Sequence, residues 1–300
     1  MIEPDEAIDI IHARFGSHPR TRALHAKGTW LEGTFTATPE SAAISRAAHL
    51  QGTPVPVLAR VSNAEGNPRV PDYAPDVRGL AVSFKLPDGS ATDMVAQNAP
   101  RFFNPTSDDF LNFIKANTGK TSPLKLAAYL AAHPKAVAGL PANAAALRPV
   151  ASYVQSKYFG VHAYRWVDAE GKVSNIRWIW VPEAGEAHLG PAEARKRGRD
   201  YLGEEIADRL SKGPARFTLE VTVAAPGDST EDPSKHWPKG RETFVAGTLE
   251  LTTVIDDPET DGNIVVFDPT RMTDGIELSD DKILAYRARA YSASANLRSS

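Results

Sequence analysis

The chain has 300 residues, a formal net charge of −3 and no cysteine. Its length allows a substantial buried core, and the lack of cysteine excludes disulfides, thiolate metal ligands and a catalytic thiol. The small negative charge gives no reason to expect nucleic acid or an anionic membrane as a partner. No apolar run approaches the roughly 20 residues that cross a bilayer, and the acidic first residues are unlike a secretory signal, so we expect a cytoplasmic protein.

Strand-like segments flank a helical section of the chain. Residues 4–15 carry Ile8, Ile11 and Phe15 at helical spacing, which predicts a short amphipathic helix. Strands are predicted at Thr29–Thr36, Val55–Ser62, Leu80–Leu86, Thr92–Ala96, His162–Val167, Asn175–Val181, Phe217–Ala224 and Thr243–Val254. Further helices are predicted at Asp108–Ala116, Leu124–Ala132, Ala136–Leu147, Pro191–Ser211 and from about Ser279 to Ala295.

No low-complexity linker divides the chain, so we expect one domain over residues 1–300. The pattern alone predicts an α+β fold. Strands in two groups, separated by a helical insertion, would suit an antiparallel barrel of about eight strands.

The C-terminal helix contains a pair of side chains that could bind iron. Arg287 precedes Tyr291 by four residues, so the two side chains lie on one helical face. A guanidinium beside a phenol favours the phenolate, and a tyrosinate is one of the protein ligands of haem iron. An Arg–Tyr pair on a helix is usually an exposed surface feature, so this interpretation needs support from elsewhere in the chain.

That support comes from several blocks that resemble the catalase family and follow the family's order from about Arg22 to Arg298. Arg60-Val-Ser62 is similar to the family's Arg-Phe-Ser strand, and the segment from Asp93 is similar to its Asp-Leu-Val-Gly-Asn-Asn-Thr-Pro segment. The remaining blocks are Arg22-Ala-Leu-His25-Ala-Lys-Gly28, Asp76-Val-Arg78-Gly79-Leu-Ala-Val-Ser-Phe84 and Phe267-Asp-Pro269 through Gly275-Ile-Glu277 to Asp281.

The resemblance implies a catalase-like antiparallel eight-stranded barrel with helical insertions and a C-terminal helix on the proximal side of a haem b. It also implies a role for each matching residue. These are His25 as distal acid–base catalyst, Ser62 as its hydrogen-bond partner, Tyr291 as axial iron ligand, Arg287 beside that tyrosine, Arg22, Arg60 and Arg298 on the haem propionates, and Phe110 over the distal haem face. Imidazole suits this catalysis because its unperturbed pKa is near neutral. Of the other candidates, His162 is interpreted as structural, and Phe102 and Phe103 as barrel core.

Gln97 departs from the family's pattern. Catalases have asparagine at this position and use its amide to orient peroxide, so Gln97 is assigned the same role with a side chain one methylene longer. A displaced amide can slow a reaction that depends on accurate placement. Dismutation of peroxide needs a second peroxide to be placed accurately, whereas peroxidase turnover needs only electron delivery.

We therefore expect a peroxidase that reduces hydrogen peroxide or organic hydroperoxides with a small-molecule electron donor and has weak catalase activity at most. The chain lacks the family's long arm and C-terminal helical domain, so a homodimer is favoured and no NADPH is expected. One alternative is a hydroperoxide-rearranging haem enzyme of the allene oxide synthase type, although such enzymes tend to have threonine where this chain has Leu24. Another is a non-enzymatic haem-binding protein, which would not require His25 beside Ser62.

Overall fold

The computed structural model describes residues 2–102, 104–119, 122–259 and 263–299. Within these ranges the strands are β1 Gly28–Ala37, β2 Val55–Asn63, β3 Arg78–Lys85, β4 Ala91–Gln97, β5 Tyr158–Val167, β6 Val173–Pro182, β7 Ala215–Val223, β8 Thr243–Ile255 and β9 Ile276–Leu278. The α-helices are α1 Pro4–Phe15, α2 Pro39–Ala42, α3 Ser107–Ala116, α4 Ser122–Ala132, α5 Pro134–Ala144, α6 Pro191–Arg197, α7 Tyr201–Lys212 and α8 Lys282–Ser299. None of the helices in these ranges has the length and apolar character to cross a membrane.

The strands form a closed antiparallel barrel. Their order is β4-β3-β2-β1-β8-β7-β6-β5, and a pairing between Gln97 of β4 and Phe159 of β5 closes the circle. The short strand β9 pairs with β5 from outside the barrel. The predicted eight-stranded barrel is therefore confirmed, and β9 was missed because three residues are too short to show a period.

The barrel core consists of apolar side chains from one face of each strand. Phe35 of β1 is fully buried and contacts Phe84 of β3 and Trp180 of β6 edge to face, with ring centroids 5.2 and 6.0 Å apart. Aromatic pairs in this arrangement add to the free energy of area burial. Gly33 has no room for a side chain, because a Cβ there would lie 2.0 Å from the carbonyl oxygen of Glu250 on β8.

A second apolar cluster joins both ends of the chain outside the barrel. It consists of Ile8 and Ile11 of α1, Leu111 of α3 and Tyr286 and Ala293 of α8, together with their buried neighbours. The stripe predicted for residues 4–15 is the buried face of α1. This cluster places the N-terminal segment next to the C-terminal helix.

For two of the predicted helices the structure shows which residues set the actual boundaries. The single helix predicted at Pro191–Ser211 is wrong, because α6 ends at Arg197 and Gly198 then adopts a φ of 106°. A positive φ is accessible to glycine and interrupts the helix. The last helix begins at Lys282 rather than Ser279, and Asp281 caps it by accepting the N–H groups of Ile283 and Leu284 through Oδ1.

His49 is a buried histidine in the barrel core. It is 1% exposed and its ring centroid lies 4.7 Å from that of Phe84. Its Nδ1 has no hydrogen-bond partner among the described residues. Burial lowers the pKa of His49 to about 3, so the ring is neutral in the folded protein near neutral pH.

Replacing His49 by leucine should make the protein less sensitive to acid. The folded pKa lies below that of an unfolded histidine, about 6.5, so the unfolded state gains a proton as the pH falls. The contribution of His49 to stability is fully present above the unfolded pKa of about 6.5. It is lost as the pH falls toward the folded pKa of about 3. As the pH falls, we expect the free energy of unfolding of His49→Leu to decrease less steeply than that of the parent. The two slopes should differ by about 1.4 kcal/mol per pH unit. Urea unfolding of both proteins between pH 7.5 and 5 measures this; parallel pH dependences would contradict it.

Candidate functional site

His25 has an unusual backbone conformation that several contacts maintain. Its φ is 59°, in the left-handed region that residues with a Cβ rarely adopt. Its N–H donates to the carbonyl of Ala64 at 3.0 Å, and its own carbonyl accepts from Arg60 Nη1 at 2.8 Å. The ring Nδ1 lies 2.9 Å from Ser62 Oγ, which is the contact that the resemblance implies for these two residues. Strain of this kind persists where surrounding groups hold it, commonly at functional sites.

The row of residues beside His25 is set by strand register. Ser62 of β2 is opposite Gly79 of β3, which is opposite Gln97 of β4. Opposed residues in antiparallel strands share a face, so Ser62 and Gln97 flank the glycine on the side of His25. A Cβ on Gly79 would lie 2.8 Å from His25 Nδ1 and 2.9 Å from Ser62 Oγ. Gly79 thus provides the space in which the histidine ring sits.

Gln97 has only weak contacts, whereas its neighbour Asn98 is firmly bound. The Nε2 of Gln97 approaches the carbonyl oxygens of Ala99 and Arg101 at 3.4 Å each, which is long for a hydrogen bond. Asn98 accepts the N–H of Arg78 at 2.8 Å and donates to the carbonyl of Ala146 at 3.1 Å. The two amides therefore differ in role, with Asn98 stabilising the fold and Gln97 lying in the row beside His25.

A chain of hydrogen bonds leads to Tyr291 on α8. Arg287 Nη2 donates a short hydrogen bond to the phenol oxygen of Tyr291, and Arg287 Nη1 lies 2.9 Å from His162 Nε2. The Nδ1 of His162 lies 2.7 Å from Asp281 Oδ2. A neutral ring with its proton on Nδ1 satisfies both contacts of His162, since it donates to Asp281 and accepts from Arg287.

The electrostatics of this chain keep Arg287 charged. Burial lowers the pKa of His162 despite its hydrogen bond to Asp281, which agrees with a neutral ring. Burial acts to lower the pKa of Arg287 as well, but the charge and hydrogen bond of Tyr291 outweigh it, and the pKa is raised. The phenol oxygen of Tyr291 therefore faces a permanent positive charge. The structural interpretation of His162 is refined, because this histidine supports the arginine that holds Tyr291.

Arg22 and Arg298 converge on one carboxylate, that of Glu259. Arg22 Nη1 lies 2.6 Å from Glu259 Oε2, and Arg298 Nη1 makes a short hydrogen bond to Oε1. The side chains are 16%, 4% and 8% exposed for Arg22, Arg298 and Glu259, so these charges are largely removed from water. Sequence reasoning missed Glu259, because it lies in no recognisable motif and its arginine partners are distant in sequence.

Arg60 does not share this carboxylate. Its Nη1 and Nη2 donate to the carbonyls of His25 and Ala26 at 2.8 and 3.1 Å. Its guanidinium carbon lies 5.5 Å from the ring centroid of Trp30, and that of Arg22 lies 5.0 Å from the same ring. Burial and the nearby Arg22 charge lower the pKa of Arg60 to about 9. The three arginines are neighbours, but the structure separates Arg60 from the pair on Glu259.

Phe110 of α3 packs against the second apolar cluster, as does Leu24. The ring centroid of Phe110 lies 5.4 Å from that of Phe102. The prediction that Phe102 belongs to the barrel core is wrong, since it is half-buried beside Phe110 on α3. Phe103 lies outside the described residues.

Glu259→Gln should destabilise the protein purified without a bound cofactor. The substitution leaves two buried guanidiniums without a charged acceptor, and breaking a buried ion pair costs about 3 kcal/mol. Asp256→Asn removes a charge from an exposed residue three positions away and serves as the control. Urea denaturation should show the loss in Glu259→Gln and little change in the control. Equal stability of all three proteins would contradict the argument.

Comparison with known proteins agrees with this arrangement. The family model described as Catalase matches residues 13–300. The chain is 47% identical to a catalase-related peroxidase of Mycolicibacterium paratuberculosis, over 99% of this chain and 95% of that protein. It is 33% identical to a catalase-related peroxidase of Synechococcus elongatus, over 99% of this chain and 89% of that protein.

Full-length catalases match over part of their length. The chain is 29% identical to a catalase of Vibrio vulnificus, covering 90% of this chain and 56% of that protein. Catalase A from Saccharomyces cerevisiae superposes with a TM-score of 0.83 at 21% identity, over 94% of this chain and 62% of the yeast chain. A bacterial catalase structure gives a TM-score of 0.82 over 94% of this chain and 58% of its own. This chain therefore belongs to the catalase family.

Proposed function

We propose that the protein is a haem b peroxidase that reduces hydrogen peroxide or organic hydroperoxides with a small-molecule electron donor. Its membership of the catalase family and its similarity to catalase-related peroxidases make it a haem-dependent oxidoreductase. The observation that supports the specific proposal is that His25 and Tyr291 are each fixed by hydrogen bonds, to Ser62 and to Arg287. Leu24, next to His25, and Ala290, next to Tyr291, pack against the same apolar cluster. The N–H of Ala23 lies 3.4 Å from Ser294 Oγ on α8, so the segment of His25 lies against this helix.

The residues present fit an iron porphyrin with two propionates. Tyr291 offers a phenol oxygen backed by a cation, and Arg22 and Arg298 already bind a carboxylate, that of Glu259. Arginine suits this role because it stays charged and binds carboxylates through two parallel N–H groups. No three His, Asp or Glu side chains in the described part of the chain cluster to hold a bare metal ion. A single tyrosine ligand therefore agrees with iron that arrives in a porphyrin.

His25 is suited to move the proton of a peroxide. Burial, followed by the charges of Arg60, Arg287 and Arg22, lowers the pKa of His25 to about 3, so the ring is a neutral base at physiological pH. With Nδ1 bonded to Ser62, Nε2 is the nitrogen that accepts the proton from one peroxide oxygen and returns it to the other. When bound, the haem supplies the redox chemistry that completes cleavage of the oxygen–oxygen bond.

Weak catalase activity follows from Gln97. Its longer side chain hydrogen-bonds only weakly to the backbone at Ala99 and Arg101, so it is poorly fixed for placing a second peroxide. Peroxidase turnover depends less on this placement. Homodimer formation and the use of a small-molecule electron donor stay predictions.

The alternatives receive less support. Leu24 packs in the apolar cluster of α1, α3 and α8, where the threonine typical of allene oxide synthase-like enzymes would bring a hydroxyl. A protein that only carried haem would have no need for the strained backbone of His25 or for the space at Gly79. Both features favour catalysis at His25.

Tyr291→Phe should abolish stable haem retention or change the axial ligand. Phenylalanine keeps the ring but removes the oxygen that faces Arg287. Tyr286→Phe is a matched control, because Tyr286 is on the same helix and its hydroxyl has no partner among the described residues. Absorption spectra and haem content of both variants, reconstituted in parallel, measure the effect. A Tyr291→Phe spectrum identical to that of the parent would remove Tyr291 as the ligand.

Gln97→Asn should raise the ratio of dioxygen evolution to dye oxidation. The shorter side chain restores the family's residue in the row of Ser62 and Gly79. The hydrogen bond between Asn98 and the N–H of Arg78 keeps the strand in place. We expect an increase of about tenfold, corresponding to roughly 1.4 kcal/mol in the barrier. Both activities are measured on one preparation and normalised to bound haem. An unchanged ratio would assign the weak catalase activity to a feature other than residue 97.

A further inference from the structure

We propose that Arg60 is a positioning residue for His25, holding the backbone of the histidine so that its ring meets the peroxide correctly. This inference rests on the proposed function, in which His25 transfers the proton. The resemblance alone would assign Arg60 to a haem propionate. The geometry adds a second role, because the guanidinium is hydrogen-bonded to the two successive carbonyls of His25 and Ala26, at 2.8 and 3.1 Å.

The rigid shape of the guanidinium explains why an arginine is used here. Its two Nη groups are fixed in one plane and can reach two neighbouring acceptors at once. A lysine would present a single ammonium on a flexible stem. Two parallel hydrogen bonds define both the distance and the orientation of the Ala26–His25 backbone relative to β2.

Arg60 and Ser62 act on His25 from the same strand. Alternate residues on a strand point to one face, so these two side chains leave β2 on the same side. Arg60 binds the main chain of His25, and Ser62 binds its ring at 2.9 Å. Position and ring orientation are thus set from one rigid element.

The backbone of His25 needs such a restraint. At a φ of 59° it would relax to the ordinary region unless both of its polar groups were held. Ala64 binds the N–H side, and Arg60 is the one donor to the His25 carbonyl among the described residues. Loss of Arg60 removes half of the restraint and allows the ring to rotate away from Ser62.

The guanidinium of Arg60 is buried in a space that its neighbours leave open. The side chain is 6% exposed and lies over the ring of Trp30. A Cβ on Gly28 would approach its Cζ to 2.7 Å, so the glycine makes room for the group. Arg60 is therefore a buried cation and not a surface charge. Its hydrogen bonds to His25 and Ala26 are fixed contacts within the fold.

A double-mutant cycle on the haem-loaded protein tests the proposal. The variants are Arg60→Gln, His25→Ala and the double variant, with Arg216→Gln, a half-exposed strand arginine, as the control. The measured quantity is the second-order rate of reaction with hydrogen peroxide per bound haem. We expect Arg60→Gln to lower it on the order of 100-fold. The same substitution should have almost no effect in the His25→Ala background, because residues that act through one another are not additive.

Arg60→Lys and the histidine ring itself supply two further readouts. Lysine keeps the charge but makes one contact, so it should recover only part of the rate. In the cofactor-free protein, the ¹⁵N resonances of the His25 ring should report one tautomer in the parent and an average of tautomers in Arg60→Gln. This second measurement remains informative if the variant loses haem.

The outcomes separate the inference from the function on which it rests. An equal loss of rate in both backgrounds, or weaker haem binding with an unchanged rate per haem, would show that Arg60 only anchors the cofactor. Unchanged ring resonances in Arg60→Gln would also overturn the proposal. A His25→Ala protein as fast as the parent would instead overturn the proposed function.

Discussion

Packing of α1 against both α8 and α3 is the interaction on which the site depends. The barrel alone supplies Ser62 and Gln97, but Tyr291 lies on a helix near the other end of the chain. The apolar cluster that includes Ala23 and Ala293 brings that helix against the segment containing His25. Because hydrophobic burial is not directional, the exact positions within this contact are then set by hydrogen bonds from the strands and from Asp281.

Charge pairing in a water-poor space is the second constraint. Arg22 and Arg298 are held by Glu259, and Arg287 by Tyr291 and the neutral ring of His162. Buried cations require such partners, because an unpaired buried charge is strongly destabilising. The same pairing keeps each guanidinium in place for the group it would bind. Stability of the cofactor-free protein and readiness for the cofactor thus have a common origin.

The histidine illustrates how the fold fixes a chemical property. Its pKa is lowered by burial and by surrounding arginines, so a residue that is normally half-protonated near neutral pH becomes a neutral base. The space for its ring exists because Gly79 lacks a side chain, and the row of Ser62, Gly79 and Gln97 follows from strand register. Removing any of these features would change the position or the protonation of the ring.

The sequence by itself determined most of the strands, the helical insertion and the spacing that pairs Arg287 with Tyr291, because local periodicity and helical spacing are visible in the chain. The closed barrel was implied only by the resemblance to the catalase family. Resemblance to a family added the roles expected of His25 and Ser62. Only the tertiary structure decided that Glu259 joins Arg22 to Arg298, and that Arg60 binds the backbone of His25 instead of that carboxylate. Such contacts join residues far apart in the chain, and no local pattern encodes them. They arise when barrel closure and helix packing bring distant side chains into the same buried volume, where each polar group has to find a partner.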